Sequence, residues 1–123
     1  MFKIHSVEGG YVPSFEYIDF NDVTPKIGMA LDFGADYLKK CDVADKPLYI
    51  CMSEIPDGVT SEKVAVIKVS ENIIFETETE NEFLSSLGFL CKLSGDSMSV
   101  SAEGGGHARV IYKNGKTVRV RFE

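Results

Sequence analysis

The sequence lacks a long run of apolar residues, an excess of positive charge and any closely spaced pair of cysteines. Without a long apolar run no transmembrane helix fits, and because the first ten residues contain no apolar stretch we expect no signal peptide. Nineteen Asp and Glu against thirteen Lys and Arg leave a formal net charge of −6 at pH 7. A general nucleic-acid binder needs net positive charge to displace phosphate counterions. We therefore expect neither a membrane nor a nucleic acid as a partner.

The few cysteines and histidines argue against disulfides and metals. Cys41, Cys51 and Cys91 are an odd set without CxxC spacing, whereas disulfide frameworks are usually even and denser. We interpret them as buried or half-buried reduced thiols. His5 and His107 lie at opposite ends of the chain, so a zinc site would have to recruit scattered ligands. We expect no metal and no cofactor.

The sequence also lacks a recognisable catalytic motif. Ser, His, Cys and Asp are present, but no GxSxG elbow or family-specific cysteine signature supports a nucleophile. The triple glycine at residues 104–106 leads into a strand pattern, without GK[ST], whereas phosphate-binding loops lead into a helix. We interpret these glycines as a mobile loop between strands. We expect no catalytic residues and a protein that is not an enzyme.

What the sequence does contain is a series of short β-type runs broken by Gly, Pro, Asn and Asp. Its 123 residues suit a single domain, residues 1–123. The pattern predicts an all-β, mainly antiparallel fold, either a compact β-barrel or a β-sandwich. Turn residues recur at Asn21-Asp22 and at Pro56-Asp57-Gly58. At most one short helix is expected, near residues 80–88, where Phe83 and Leu87 are spaced as on one helix face.

Three local patterns give sharper expectations. The continuous apolar run Leu48–Met52 is the best candidate for a central strand. Gly28, inside a strand-like run, indicates a bulge or a close approach of another backbone. Asn114-Gly115 predicts a β-hairpin with a type I′ turn. Along the second strand of that hairpin, apolar and basic side chains alternate and should face opposite sides: Val118, Arg119, Val120, Arg121 and Phe122.

Residues 1–22 have strand-like character and few turn residues after Gly10. They could be an N-terminal arm that adds to a partner's sheet by strand augmentation. They could equally be the first two strands of the domain, which we favour. The aromatic residues in this part of the chain are Phe2, Tyr11, Phe15, Tyr17 and Phe20.

Two groups of charged residues are candidates for an oligomer interface. The acidic group recurs at every second position and shares one solvated face if the strand continues: Glu76, Glu78, Glu80 and Glu82. The basic group follows Gly104, and its main members are Arg109, Lys113, Arg119 and Arg121. The two groups could neutralise each other across neighbouring strands of one subunit. Alternatively, they could meet between subunits in a heterologous, ring-closing interface.

Several segments together resemble a known class of protein. Thr24–Leu31, Lys46–Met52, Val64–Val69 and Ile73–Thr77 resemble the corresponding strands of small phage and prophage head decoration proteins, over roughly residues 24–78. The resemblance implies a non-enzymatic homo-oligomer, often a trimer, on the virion surface, with the major capsid protein as its partner. The alternative is a small β-barrel in the bacterial cytoplasm that binds a ligand or a protein partner.

Overall fold

The computed structural model describes residues 1–20, 24–55, 58–59 and 62–123, with Glu62 described by its backbone alone. The predicted turns at Asn21-Asp22 and Pro56-Asp57 lie outside these residues. The described residues form strands and no helix, which confirms the predicted all-β fold. The strands are β1 Lys3–Val7, β2 Glu16–Phe20, β3 Ala30–Phe33, β4 Leu38–Lys40, β5 Tyr49–Cys51, β6 Glu62–Lys68, β7 Ile73–Glu78, β8 Leu90–Leu93, β9 Val100–Gly104, β10 Ala108–Asn114 and β11 Thr117–Phe122.

The strands form two sheets, which divide the molecule into two halves. The sheet half, residues 1–7 and 73–123, holds a six-stranded antiparallel sheet in the order β1-β7-β11-β10-β8-β9. The barrel half, residues 8–72, holds a closed five-stranded barrel in the order β2-β4-β3-β5-β6. The barrel closes between β2 and β4 through one parallel bridge, Phe20 with Leu38. Of the two predicted forms, a β-barrel or a β-sandwich, the barrel therefore occurs, beside a six-stranded sheet.

Strand β5 is central, as its apolar run predicts. It lies between β3 and β6, and alternate residues of these three strands are buried on opposite sides. One side packs into the core of the sheet half, through Ala30, Ile50 and Ile67. The other side fills the barrel, through Leu31, Cys51 and Val66. A strand buried on both faces needs apolar residues at consecutive positions, which explains the run.

The C-terminal hairpin forms with its side chains facing as predicted, but the predicted turn type is wrong. Asn114 pairs with Thr117, so the two-residue turn is Gly115-Lys116. Gly115 has a φ of +62°, and Lys116 does not have a positive φ. A type I′ turn needs φ > 0 at both central positions, whereas glycine at the first position alone is the type II′ pattern. The predicted buried face consists of Val118, Val120 and Phe122.

Residues 80–88 do not form the short helix that their apolar spacing allows. The amide of Phe83 donates to the carbonyl of Gly115 at 2.9 Å, and that of Gly88 donates to Val110 at 2.7 Å. These donors bond to the C-terminal hairpin and not to carbonyls one helical turn earlier. Phe83 is buried, while Leu84 and Leu87 are exposed. The segment therefore lies along the hairpin with one apolar anchor.

Gly28 meets another backbone closely, as predicted. Its φ is +81°, and a Cβ there would lie 2.4 Å from the Cβ of Met1. The amide of Phe2 donates to the Gly28 carbonyl at 2.9 Å, which joins the start of the chain to the barrel half. The strand after Gly28 begins only at Ala30.

The triple glycine connects two strands, as predicted, but its last member is tightly packed. Gly106 is buried, and a Cβ there would lie 2.0 Å from the carbonyl oxygen of Cys91. Glycine is therefore needed at residue 106 because the backbone there lies close to β8.

Candidate functional site

Part of the predicted charge pattern lies on the outer face of the sheet half. This face is the side of β7, β11 and β10 that contains Glu76, Arg119 and Tyr112. Arg119 lies opposite Glu76 in register, and its Nε donates to Glu76 Oε2 at 2.9 Å. This hydrogen bond, with the positive charge of Arg119, holds the pKa of Glu76 below its ordinary value. The guanidinium carbon of Arg119 also lies 4.1 Å from the ring centroid of Tyr112. Glu76 and Arg119 are thus neutralised within one subunit, the first of the two predicted alternatives.

Arg109 and Arg121 lie opposite each other on the same outer face and share one carboxylate. Arg109 Nε donates to Glu123, and Arg121 reaches the other oxygen of that carboxylate at 3.4 Å. The hydrogen bond from Arg109 is the main cause of a lowered pKa at Glu123. Arg109 also donates to the Gly88 carbonyl at 2.9 Å. The shared carboxylate offsets the repulsion between two adjacent cations.

Lys113 does not join this basic group. It pairs with the buried Val118, which places it on the other side of β10 from Tyr112. Its Nζ donates to the carbonyls of Ser85 at 2.7 Å and Leu84 at 3.5 Å. Lys113 therefore fastens the 80–88 segment to the hairpin.

The remaining acidic residues lie at a different place. Strand β7 ends at Glu78, so the predicted stripe does not continue through Glu80 and Glu82. These three residues and Asp96 line a cleft of about 550 Å³ between residues 78–83 and 94–102. In the part of the chain that the structure describes, Glu78, Glu80 and Glu82 make no ion pair. The predicted acidic group is thus divided between the outer face and the cleft.

Hydrogen bonds hold the polar side chains of the cleft in place, but the described residues form no metal site. The Ser94 hydroxyl and then the Met98 amide donate to Asp96 and lower its pKa. The Ser99 hydroxyl donates to the carbonyl of Glu78 at 2.7 Å, which ties the β8–β9 turn to β7. Among the described residues no group of three His, Cys, Asp or Glu could hold a metal ion.

A segment at residues 11–17, called here the exposed segment, presents apolar side chains to solvent. Tyr11 is 84% exposed, Val12 58%, Phe15 43% and Tyr17 66%. Residues 11–15 are not in a strand, and no backbone hydrogen bond holds them within the described structure. The next strand, β2, pairs with β6 along its length, while within the described residues its other edge makes a single bridge, Phe20 with Leu38. Among these residues, the segment and most of this edge have no strand partner.

Ser97 is a structural residue that the sequence does not reveal. It is fully buried and is the one non-glycine residue of the described chain with a positive φ, +57°. Its hydroxyl donates to the Cys41 carbonyl at 2.7 Å, and its carbonyl accepts from Ala30 at 2.8 Å. The β8–β9 turn is thereby locked into the barrel half. Serine is not among the residues enriched at positive φ, so no sequence signal marks this position.

The three cysteines are free and buried, as predicted. Burial is the main cause of a pKa of about 12 at Cys41 and about 11 at Cys91, and it also raises the pKa of Cys51. Reactive cysteines need a lowered pKa and access to solvent. These thiols are therefore packing residues.

Comparison of the chain with protein-family models, curated proteins and solved structures found no match. None of the described residues belongs to a helix that could span a membrane.

Proposed function

We propose that the protein is a structural, non-enzymatic phage or prophage protein that self-associates and binds the capsid surface. The observation that supports this most strongly is the exposed segment. The resemblance to head decoration proteins supports the capsid as the partner and the virion surface as the location.

The exposed segment has the properties of a contact site. Clustered exposed apolar side chains mark protein–protein interaction sites, and Tyr11, Val12, Phe15 and Tyr17 lie within seven residues. The free edge of β2 offers backbone hydrogen bonds to an added strand. Gly9 and Gly10, both at positive φ, precede the segment. These features support binding to a large protein surface.

The rival function, a ligand site inside the barrel, has less support. The barrel interior is filled by its own side chains: Phe20, Met29, Leu31, Leu38, Cys51, Val64 and Val66. A barrel of this size packs its interior unless strands are added. The raised pKa values of the cysteines also support a non-enzymatic role, since they disfavour a thiolate nucleophile.

The test is co-expression with any major capsid protein that is encoded beside the gene, followed by sedimentation of the assembled shells. The wild type should sediment with the shells, and Tyr11→Ser with Tyr17→Ser should stay in the supernatant. Leu84→Ser with Leu87→Ser is the matched control, because these leucines are 77% and 60% exposed on the sheet half. Circular dichroism checks that both variants fold.

Three results would contradict the proposal. If the genes beside this one encode no capsid, scaffold or portal protein, the capsid is excluded as the partner. Wild-type protein that stays in the supernatant would also exclude the capsid as the partner. A strict monomer in analytical ultracentrifugation at high concentration would exclude self-association.

A further inference from the structure

The Asn114-Gly115 pair does not form the turn that the sequence predicts. The turn residues are Gly115 and Lys116, so Asn114 is the last residue of β10 and pairs with Thr117. Asn114 does not have a positive φ, and its exposed side chain makes no hydrogen bond to the described residues. The turn therefore does not explain an asparagine at this position.

The backbone amide of Gly115 is also unbonded within the described residues. It donates no hydrogen bond in the turn, and no atom lies within 4 Å of the position where a Cβ would stand. Both Asn114 and Gly115 are exposed, so water reaches them. The Gly115 nitrogen can close a five-membered ring with the Asn114 Cγ, and glycine has the conformational freedom that this approach needs.

Each of the other three asparagines precedes a residue whose side chain crowds the attacking nitrogen: Asn21-Asp22, Asn72-Ile73 and Asn81-Glu82. The crowding is greatest at Asn72, because Ile73 is β-branched and fully buried. The Asn72 carbonyl is also fixed by a hydrogen bond from the amide of Glu8 at 2.8 Å. Asn114 is therefore the position where ring closure meets the least hindrance.

We propose that Asn114 is a site of spontaneous deamidation whose product loosens the segment packed on the hairpin turn. The Gly115 nitrogen loses its proton to water and attacks the Cγ of Asn114. The bond from Cγ to Nδ2 then breaks, and Nδ2 takes up a proton and leaves as ammonia. Water opens the cyclic imide: attack at Cγ gives aspartate, whereas attack at the main-chain carbonyl carbon gives isoaspartate, in which the main chain runs through Cβ and Cγ.

The isoaspartate form displaces the carbonyl groups that hold residues 79–83. The carbonyl of Gly115 accepts from the amide of Phe83 at 2.9 Å, and that of Lys116 accepts from the amide of Thr79 at 2.8 Å. One additional main-chain carbon before the turn moves both carbonyls relative to β10. Because Phe83 is the buried anchor of this segment, its amide is the most sensitive reporter of the change.

Ageing of the purified protein tests the site. The protein is incubated at mildly alkaline pH, and peptide mapping by mass spectrometry follows the gain of about 1 Da that accompanies replacement of NH2 by OH. Residue 114 should react about tenfold faster or more than Asn72 and Asn81, because only Asn114 precedes a glycine. Asn114→Gln is the matched control: it keeps a carboxamide but needs a larger ring, and it should stay intact over the same time.

Hydrogen exchange tests the consequence. The deamidated protein is collected by ion exchange, because it carries one more negative charge, and enzymatic methylation of isoaspartyl groups measures its isoaspartate content. Freshly prepared Asn114→Asp is the reference, with the same charge and an unaltered main chain. In the isoaspartate form the amide of Phe83 should exchange about tenfold faster than in this reference, since its acceptor has moved.

This inference does not depend on the proposed function, and its outcomes are separate. No reaction at residue 114, or a rate equal to those of Asn72 and Asn81, overturns the assignment of the site. Formation of isoaspartate without faster exchange at Phe83 overturns the loosening of the segment. Either result leaves the sedimentation test of capsid binding unchanged.

Discussion

The two halves of the molecule use different cores. In the sheet half three phenylalanine rings, those of Phe2, Phe75 and Phe122, contact one another with centroids 5.5 to 6.5 Å apart. The described core of the barrel half has one buried phenylalanine, Phe20, which lies among smaller, mostly aliphatic side chains. The halves are nevertheless not independent, because Ala30, Ile50 and Ile67 of the barrel belong to the core of the sheet half.

The halves also differ in how they close. The sheet remains open, with long ladders such as the six registered pairs of β10 with β11. The barrel closes through one described bridge, Phe20 with Leu38. The comparison teaches that the sheet half supplies the wall against which the barrel is packed, while most of one edge of β2 has no strand partner among the described residues.

Removal of one large buried side chain from either half should cause the largest loss of stability, and it tests whether the two cores unfold together. Phe75→Ala and Phe20→Ala each delete a ring that is fully buried and should cost about 3–5 kcal/mol of unfolding free energy. Because the cores are joined, both should lower the midpoint of one cooperative transition, measured by urea denaturation followed by circular dichroism and tyrosine fluorescence. Two separate transitions in either variant would show that the halves unfold independently.

A substitution at the point where β8 lies close to the loop before β10 should cause the next largest loss of stability. In Gly106→Ala the new methyl group would overlap backbone atoms of Cys91 and Lys92, and we expect a loss of about 2–3 kcal/mol. Gly95→Ala is the control, because open space surrounds that position and its φ is not positive. In chemical denaturation the midpoint of Gly106→Ala should lie below that of Gly95→Ala. Equal midpoints would mean that the loop moves to accept the methyl group without losing stability.

Local patterns made much of each half predictable. The alternation after Gly115, the two-sided burial of β5 and the close approach at Gly28 follow from the period of a strand and from the geometry of glycine. Each depends on residues close together in sequence. Glu76 and Arg119 were likewise predicted to belong to two groups of opposite charge, although the sequence left open whether these groups meet within a subunit or between subunits.

The division into two sheets could not be predicted, because it is decided by distant pairings. Strand β2 pairs with β6, and β7 lies between β1 and β11, and no local rule selects such partners. The short helix that the apolar spacing allowed at residues 80–88 does not form for the same reason, since the amides of Phe83 and Gly88 donate to the distant C-terminal hairpin. Ser97 combines a distant carbonyl partner with an uncommon φ, and neither has a sequence signature.

The lock between the halves can be weakened without disturbing either core. Ser97→Ala removes the hydroxyl that donates to Cys41 and leaves a buried carbonyl without that donor, at a cost of about 1–3 kcal/mol. Ser97→Gly also loses the bond, but glycine favours the positive φ of +57°, so it should be less destabilising. Thermal unfolding of both variants checks the order. A glycine variant that is less stable than the alanine variant would contradict the strained backbone.

The acid sensitivity of the protein should arise mainly in the sheet half, although most acidic residues belong to the barrel half. Among the carboxyl groups that the structure describes, those whose pKa is lowered are Glu76, Asp96 and Glu123, and all three lie in the sheet half. A lowered pKa in the folded state means that the group contributes stability above its ordinary pKa. That contribution is lost as the pH falls through the folded value.

The smallest effect is therefore expected from Glu76→Gln. The variant should be slightly less stable than the wild type at pH 7, because the Arg119 partner is lost. The difference should begin to shrink as the pH falls below 4.5, the ordinary pKa of Glu76, because the unfolded chain then binds a proton there, and it should vanish below the lowered folded pKa. Glu80→Gln is the control, since that exposed carboxylate has no ion pair in the described residues. Urea midpoints from pH 3 to 7 measure this, and a difference that grows in acid would reverse the sign and exclude the Arg119 pair as its cause.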